Sequence, residues 1–287
     1  MTGMIIGHVT IFALFVGVSL ASSYFMLRLL NNANFKEENF LKQQVITSSG
    51  VVFLVFLAFY AIYLLTYGQL IDLKGWPYSL LIIAFGMGVL GFLDDLFGDH
   101  RFSGFAGHFG ALAQGQVTTG LLKAILGFGL SLLVAILVSA SFVDVIVNAL
   151  IIALSINFFN LLDLRPGRTI KAFLLSAVVI FLLSRVEGLW LVSLPVLAPV
   201  AILLWLDLKL LSMLGDTGSN FLGAMIGVWV VYSFELKINL AVLLGLIIIH
   251  LYSEKHSISA FISKNRFLSW LDNLGLSKKP QLDSERE

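Results

Sequence analysis

The sequence predicts an all-α integral membrane bundle of about nine to ten transmembrane helices, followed by a C-terminal amphipathic helix. Of the 287 residues, 59% are hydrophobic and only 12% are charged, whereas soluble domains average roughly half and a quarter. The apolar residues also fall in long runs, each close to the ~20 residues that cross a hydrocarbon core. These runs cover about residues 4–30, 48–67, 77–97, 116–138, 143–162, 170–185, 189–206, 218–234 and 236–253.

The two ends of the chain are interpreted from their composition. The first run lacks the basic start and the small-residue cleavage site of a signal peptide, so we expect a retained span. Residues 257–275 intersperse apolar and charged side chains, a pattern typical of a helix that lies on a membrane surface. The predicted organisation is therefore a transmembrane domain over 1–256, an interfacial helix over 257–275 and a polar tail over 276–287.

The charged residues indicate an orientation. Alternate connections carry most of the basic residues: Arg28, Lys36, Lys42, Arg101, Arg165, Arg168, Lys171 and Lys209. The other connections carry little beyond Lys74, Arg185 and Lys237. The positive-inside rule therefore predicts a multi-pass plasma-membrane protein with its N-terminus outside and its C-terminus inside. The net charge is only +1 and the basic residues are scattered between the spans. No nucleic-acid partner is therefore predicted.

Four loops on the predicted inner face hold the candidate functional residues. The first loop, residues 39–50, carries Lys42 and a hydroxyl-rich turn. The second begins at Asp94, Asp95 and Asp99 and runs through His100 and His108 to Lys123. The third loop, residues 157–171, and the fourth, residues 207–220, carry Asn157, Asn160, Asp163, Arg165, Arg168, Asp207 and the turn Gly215-Asp216-Thr217-Gly218-Ser219.

These residue types point to phosphate chemistry. Carboxylate and amide oxygens suit Mg²⁺, which commonly bridges protein carboxylates and substrate phosphates. Lys and Arg suit phosphate oxygens, and a turn at a helix start favours an anion. The chain has no Cys, and it shows no HExxH, Walker A or GxSxG pattern. The residues alone therefore predict metal-dependent phosphoryl transfer between a lipid phosphate and a soluble phosphate donor.

Three of these motifs, in this order, resemble the signature loops of the polyprenyl-phosphate N-acetylhexosamine-1-phosphate transferases, across about residues 39–256. They are Asp94-Asp95 with Asp99, Asn157-x-x-Asn160-Leu-x-Asp163, and Gly215-Asp216-Thr217-Gly218-Ser219. The superfamily includes phospho-N-acetylmuramoyl-pentapeptide transferase. The resemblance implies transfer of a sugar-1-phosphate from a UDP-sugar to undecaprenyl phosphate, with release of UMP. It also implies a bacterial cell membrane, a cytoplasmic active face, and Mg²⁺ as cofactor with Mn²⁺ as an alternative. Whether the protein forms a homodimer stays open.

The resemblance also implies roles for individual residues. Asp216 is the principal metal ligand, and Asp94 and Asp95 help to hold the metal and the lipid phosphate, or deprotonate that phosphate. Lys123 contacts phosphate. The remaining positions line the substrate site: Lys42, Asn157, Asn160, Asp163, Arg165, Arg168, Asp207, His250 and His256.

The chain departs from the family at three places. Pro166 stands where the third loop usually has a second Asp, and Arg165 and Arg168 are additional cations beside it. The last inner loop has only His250 and His256 instead of a His cluster. The chain is also one span short of the usual ten. These departures leave the sugar donor open and motivate an alternative to the leading transferase hypothesis, a non-catalytic relative that binds polyprenyl phosphate or a nucleotide sugar and acts through envelope-assembly partners.

Each assignment has a structural alternative. Asp94-Asp95 could be a solvated span end, and Asp216 a helix-capping residue. Asn160 and Asp163 could hold helices together, Lys123 could reach to the membrane interface, and Arg165, Arg168 and Lys171 could be anchors on the inner face. His100, His108, His250 and His256 could be ordinary loop residues. A chain with many membrane spans could also be a transporter. A transporter, however, would be expected to have charged residues in the middle of its spans, and few lie there.

Overall fold

The computed structural model describes residues 2–67, 76–98, 118–186 and 188–277. About 79% of these residues are α-helical, in agreement with a helical bundle. A 3₁₀ turn (Leu194–Val196) joins the short helix Leu189–Ser193 to the helix Leu197–Leu208. The bundle helices are α1 (Thr2–Asn32), α2 (Val51–Tyr67), α3 (Trp76–Phe97), α4 (Thr119–Val138), α5 (Phe142–Leu162), α6 (Arg168–Leu183), α7 (Leu189–Ser193), α8 (Leu197–Leu208), α9 (Gly215–Ser233) and α10 (Leu236–Ser253).

Each predicted apolar run coincides with helix, but the predicted number of spans is not confirmed. Five stretches in the described part of the chain are long and apolar enough to cross a membrane: Thr10–Asn32, Pro77–Phe97, Thr119–Val138, Phe142–Leu162 and Leu236–Ser253. The apolar helices Val51–Leu64 and Leu194–Leu208 are shorter. Helix α6 has only 16 residues, and α9 opens on a polar turn.

Side chains in the connections explain where two of these helices begin. The Thr118 hydroxyl accepts a hydrogen bond from the Leu121 amide at the start of α4. The Ser141 hydroxyl accepts one from the Asp144 amide at the start of α5. Both satisfy backbone donors that have no partner within the helix.

Helix α9 is the centre of the bundle. It is buried along nearly its whole length and packs against α3, α5 and α6. Phe221 stacks on Phe53 of α2 with ring centres 4.4 Å apart. A methyl group at Gly223 would lie 2.6 Å from the Ile156 Cα of α5, so the two backbones are in close contact. This packing fixes the first turn of α9, which carries Asp216.

A small β-hairpin lies between α1 and α2 in this otherwise helical chain. Strand β1 (Lys36–Glu38) pairs antiparallel with β2 (Gln44–Ile46). The Asn39 side chain closes the turn by accepting hydrogen bonds from the Leu41 and Gln43 amides. An isolated bridge from Ile46 to Ser212 then ties the first loop to the segment before α9.

The C-terminal segment contains two short helices instead of the single helix predicted over 257–275. These are α11 (Ile258–Lys264) and α12 (Arg266–Asn273). Asn265 separates them because its backbone is extended, and its side chain caps α12 by accepting from the Phe267 and Leu268 amides. Large apolar side chains of this pair are exposed, including Phe261, Phe267 and Trp270. Most of the predicted tail, residues 278–287, lies outside the described residues.

Candidate functional site

Asp94, Lys123 and Asp216 form a carboxylate–lysine cluster at one end of the bundle. At this end, the site end, α3 and α5 finish and α4, α6 and α9 begin. The Lys123 Nζ lies 2.6 Å from the Asp94 Oδ2 and also donates to the Asp216 Oδ2. The carboxyl groups of Asp94 and Asp216 are therefore close to each other. One ammonium group is therefore shared by two carboxylates from helices far apart in the sequence.

Asp95 has a different environment from Asp94. Its Oδ1 accepts from the Asp216 amide at 2.8 Å. Its Oδ2 accepts from the Ser48 hydroxyl at 2.7 Å, and from the Thr217 amide and hydroxyl at 3.1 and 2.7 Å. A carboxylate is well suited to the unpaired amides and positive dipole at a helix start. Asp95 therefore holds the first turn of α9 in place, and its predicted contact with metal stays a prediction.

Two glycines allow α3 to approach this turn. Gly215 has a φ of +75°, in the left-handed region that favours glycine. A methyl group there would lie 2.8 Å from the Asp95 Oδ2. Gly91, one turn before Asp95, lies directly against the Asp216 backbone, with no space for a side chain. The geometry of the carboxylate–lysine cluster thus depends on this backbone contact.

The cluster opens into a cavity of about 1050 Å³ with two kinds of wall. Its polar end contains nine of the predicted site residues: Asp94, Asp95, Lys123, Asn157, Asn160, Asp163, Arg165, Asp216 and His250. Its apolar wall comes from the helices α3, α4 and α5 and includes Met87, Leu121, Ile125, Phe128, Leu150 and Leu154. The cavity can therefore accommodate a ligand with a charged head and an apolar chain.

Asp163 ends α5 at the polar end of the cavity. Burial raises its pKa well above the usual value for a carboxyl group, and the nearby carboxylates of Asp207 and Asp216 raise that pKa further. The Thr169 hydroxyl donates to the Asp163 Oδ1 at 3.1 Å. This concentration of negative charge favours a cation or a proton beside Asp163.

Four predicted site residues do not line the cavity. Lys42 is exposed in the hairpin turn, and the exposed His256 contacts the Tyr252 ring at 4.8 Å between ring centres. Asp207 is buried and accepts from the Gly167 amide at 2.7 Å, so it shapes the third loop. Arg168 is also buried and binds Asp272 of α12. Asp99, His100 and His108 lie outside the described residues.

Sequence reasoning missed several residues that the structure places at the site. Ser48 and Thr217 bind Asp95 directly, and Asn220 lines the cavity with its side-chain amide nitrogen buried and without a hydrogen-bond partner among the described residues. Glu37 and Glu38 of the hairpin also line it. Asn220 directly follows the Gly-Asp-Thr-Gly-Ser turn, so helical spacing from Asp216 could have identified it.

The carboxylates fit a bound Mg²⁺ because Asp94 and Asp216 already direct one oxygen each at a common cation. Within the described residues, no group of three or more His, Asp or Glu side chains is arranged to hold a metal ion. Mg²⁺ is commonly held by one or two carboxylates together with substrate phosphates and water. Two carboxylates beside a cavity that can hold a phosphate ligand and water are therefore a suitable set of protein ligands for Mg²⁺.

No protein-family model matches the sequence, and a search of curated proteins finds no match.

Proposed function

We propose that this protein is a Mg²⁺-dependent transferase of the polyprenyl-phosphate N-acetylhexosamine-1-phosphate type. It transfers a sugar-1-phosphate from a UDP-sugar to undecaprenyl phosphate or a related polyprenyl phosphate, with release of UMP. The reaction takes place at the cytoplasmic face of the bacterial plasma membrane, with the N-terminus outside, and contributes to envelope glycolipid or polysaccharide synthesis.

The observation that carries this proposal is the two-sided cavity. Its polar end joins Asp94, Lys123 and Asp216, and its other wall consists of apolar side chains from helices long enough to cross a membrane. A polyprenyl phosphate has the same two parts, a charged head and a long hydrocarbon chain. A soluble nucleotide sugar would use the polar end, where Asn157, Asn160 and Asp163 lie.

Some of the site residues would supply charge for the reaction, and another would hold them in position. An oxygen of the lipid phosphate attacks the sugar-bearing phosphorus of the donor, a new P–O bond forms, and the bond to UMP breaks. Asp94 and Asp216 would hold Mg²⁺, which supplies charge neutralisation for the diphosphate. Lys123 offers its ammonium group to phosphate oxygens at the same place. Asp95 keeps the turn that carries Asp216 in position.

The direct test is product formation. Purified protein in lipid or detergent is mixed with undecaprenyl phosphate, Mg²⁺ and a panel of UDP-sugars, and mass spectrometry detects a lipid-linked sugar while UMP is quantified. We expect Asp216→Asn to lower turnover by on the order of 100-fold or more, because charge stabilisation in such sites is large. Glu235→Gln, at the opposite and exposed end of the bundle, is the matched control. Absence of any product across the panel would refute the proposal.

One observation favours a second candidate, a non-catalytic protein that binds polyprenyl phosphate or a nucleotide sugar. The Lys123 ammonium already binds both Asp94 and Asp216, the two carboxylates that would hold the metal ion. Such a protein would bind UMP or the lipid and act through envelope-assembly partners. It predicts that UMP raises the melting temperature, as a ligand of the folded state must, while no lipid-linked product forms.

A further inference from the structure

The cations of the third loop hold the C-terminal helices against the site end. Arg168 makes a two-point contact with Asp272 of α12, from Nε to Oδ1 at 2.8 Å and from Nη2 to Oδ2 at 3.0 Å. Its third nitrogen, Nη1, donates to the Ser259 hydroxyl of α11 at 2.8 Å. The side chains of Arg168 and Asp272 are only 5% and 4% exposed. A paired, planar contact of this kind fixes geometry more strictly than a lysine contact would.

Lys171 completes the attachment at the end of α12. Its Nζ donates to the carbonyl groups of Leu271, Asp272 and Leu274 at 2.9, 2.6 and 3.2 Å. These carbonyls lie at the C-terminal end of the helix, where few backbone donors remain and a cation is favourable, although the Leu271 carbonyl also accepts from the Leu274 amide. The group formed by Asp272 with Arg165, Arg168 and Lys171 is called here the C-terminal latch.

Arg165 connects the latch to the cavity. Its Nη1 donates to the Asp272 Oδ2 at 3.1 Å, and its guanidinium lies over the Phe40 ring of the first loop, 5.3 Å from the ring centre. Arg165 also lines the cavity beside Asp163. A guanidinium group has five N–H donors, so one that binds Asp272 still has donors to offer to an anionic ligand.

The backbone of the third loop has little freedom to adjust. Pro166 is buried, and Gly167 has a φ of +72° with its amide bound to Asp207. The direction of the Arg165 side chain is therefore set by its partners: Asp272, Phe40 and, through a longer hydrogen bond of 3.4 Å from its Nη2, the Asn273 Oδ1. Three cations also face the single carboxylate of Asp272, so the latch carries excess positive charge, and one of its cations, Arg165, lines the cavity.

We propose that Asp272 is a positioning residue that holds Arg165 at the cavity for the diphosphate of the nucleotide-sugar donor. The C-terminal helix pair thereby forms part of the donor site, although the chain around Asp272 carries none of the sequence motifs. This inference rests on the proposed function, because it assigns the donor diphosphate as the ligand of Arg165. It gives the two additional arginines of the third loop separate roles: Arg168 fixes Asp272, and Arg165 meets the ligand.

The test measures donor affinity in Asp272→Asn, Asp272→Glu and Arg165→Gln, with Glu235→Gln as the control for loss of one carboxylate. We expect Asp272→Asn to raise KM for the donor about tenfold with little change in kcat, the effect of losing one well-placed charged hydrogen bond. Asp272→Glu should restore part of the affinity, because it keeps the carboxylate. In the Arg165→Gln background, Asp272→Asn should have almost no further effect.

A second readout does not need turnover. Because the chain has no Cys, a single Ser263→Cys on the exposed side of α11 can carry a spin label. Asp272→Asn should make this label more mobile, and binding of UDP-N-acetylglucosamine, followed by calorimetry, should weaken about tenfold. Independent, additive effects of Asp272→Asn and Arg165→Gln, or unchanged donor affinity in Asp272→Asn, would overturn the inference and leave the proposed function intact. Absence of turnover together with these binding changes would refute the proposed transferase instead.

Discussion

Replacing Asp95 by Asn should lower the free energy of unfolding of the protein, whereas replacing Asp94 by Asn should change it little. The two residues are adjacent and have the same side chain, but their contacts differ. Asp95 accepts four hydrogen bonds from Ser48, Asp216 and Thr217. Asp94 binds Lys123, which keeps Asp216 as a second partner when Asp94 loses its charge. The pair therefore gives an internal comparison of a structural and a functional carboxylate.

The hydrogen bonds of Asp95 give the magnitude of the expected loss in stability. An Asn side chain at position 95 has one oxygen, which can retain the three donors on Oδ2, while its NH₂ then faces the Asp216 amide. A buried donor left without an acceptor costs about 1–3 kcal/mol. Loss of a negative charge at a helix start costs about 0.3–1 kcal/mol more. We expect Asp95→Asn to lower the free energy of unfolding by about 1–4 kcal/mol, from the sum of these terms.

The assay is thermal unfolding of both variants in the same detergent, beside UMP release. At about 2–4 °C per kcal/mol, Asp95→Asn should lower Tm by on the order of 10 °C. Asp94→Asn should change Tm by less than about a third of that, since it also removes a like-charge contact with Asp216. An unchanged Tm for Asp95→Asn, with Mg²⁺ affinity reduced as strongly as in Asp216→Asn, would show that Asp95 acts as a metal ligand and that this reasoning is wrong.

Three further predictions follow from other contacts. Gly91→Ala should lower the free energy of unfolding by about 1–3 kcal/mol, because its methyl group has no space. Gly129→Ala on α4, with nothing within 4 Å, should leave Tm unchanged or slightly higher; equal melting of the two variants would contradict the close α3–α9 contact. Burial and neighbouring carboxylates raise the pKa of Asp163, so stability falls as pH rises from about 4 through that raised value. Asp163→Asn should therefore melt higher than the natural protein at neutral pH, and a lower Tm would contradict this sign. Burial raises the pKa of Asp272, but hydrogen bonds and charge from Arg168 outweigh it and hold that pKa below the usual value. The latch should thus persist above about pH 4 and open as pH falls through the lowered pKa; spin-label mobility in α11 that does not change with acid would refute it.

The positions of the helices could be predicted from the sequence because each depends on local properties. Length and hydropathy of the apolar runs indicated segments that agree with α1 to α10 to within a few residues. The number of membrane spans could not be predicted in the same way. It depends on which helices face lipid and which, like α9, are enclosed by other helices. Hydropathy alone does not distinguish these two environments.

The site could be predicted in part. Asp94 and Asp95 were singled out because charged groups are rare and costly in such an apolar chain, and the roles of Asp216 and Lys123 followed from the family resemblance. Their division of roles was not predicted. Asp94 and Asp95 are neighbours in sequence, but successive helical residues point about 100° apart. One therefore faces the cavity, and the other faces the start of α9.

The sequence by itself determined that this protein is a helical, apolar chain with its unusual charges grouped at the ends of helices. Only the tertiary structure decided which charges meet. Arg165 and Arg168, expected to bind substrate, lie about 100 residues before Asp272 in the sequence and are joined to it through the docked C-terminal helices. Contacts over such separations depend on how the helices pack, which the local pattern of residues does not specify.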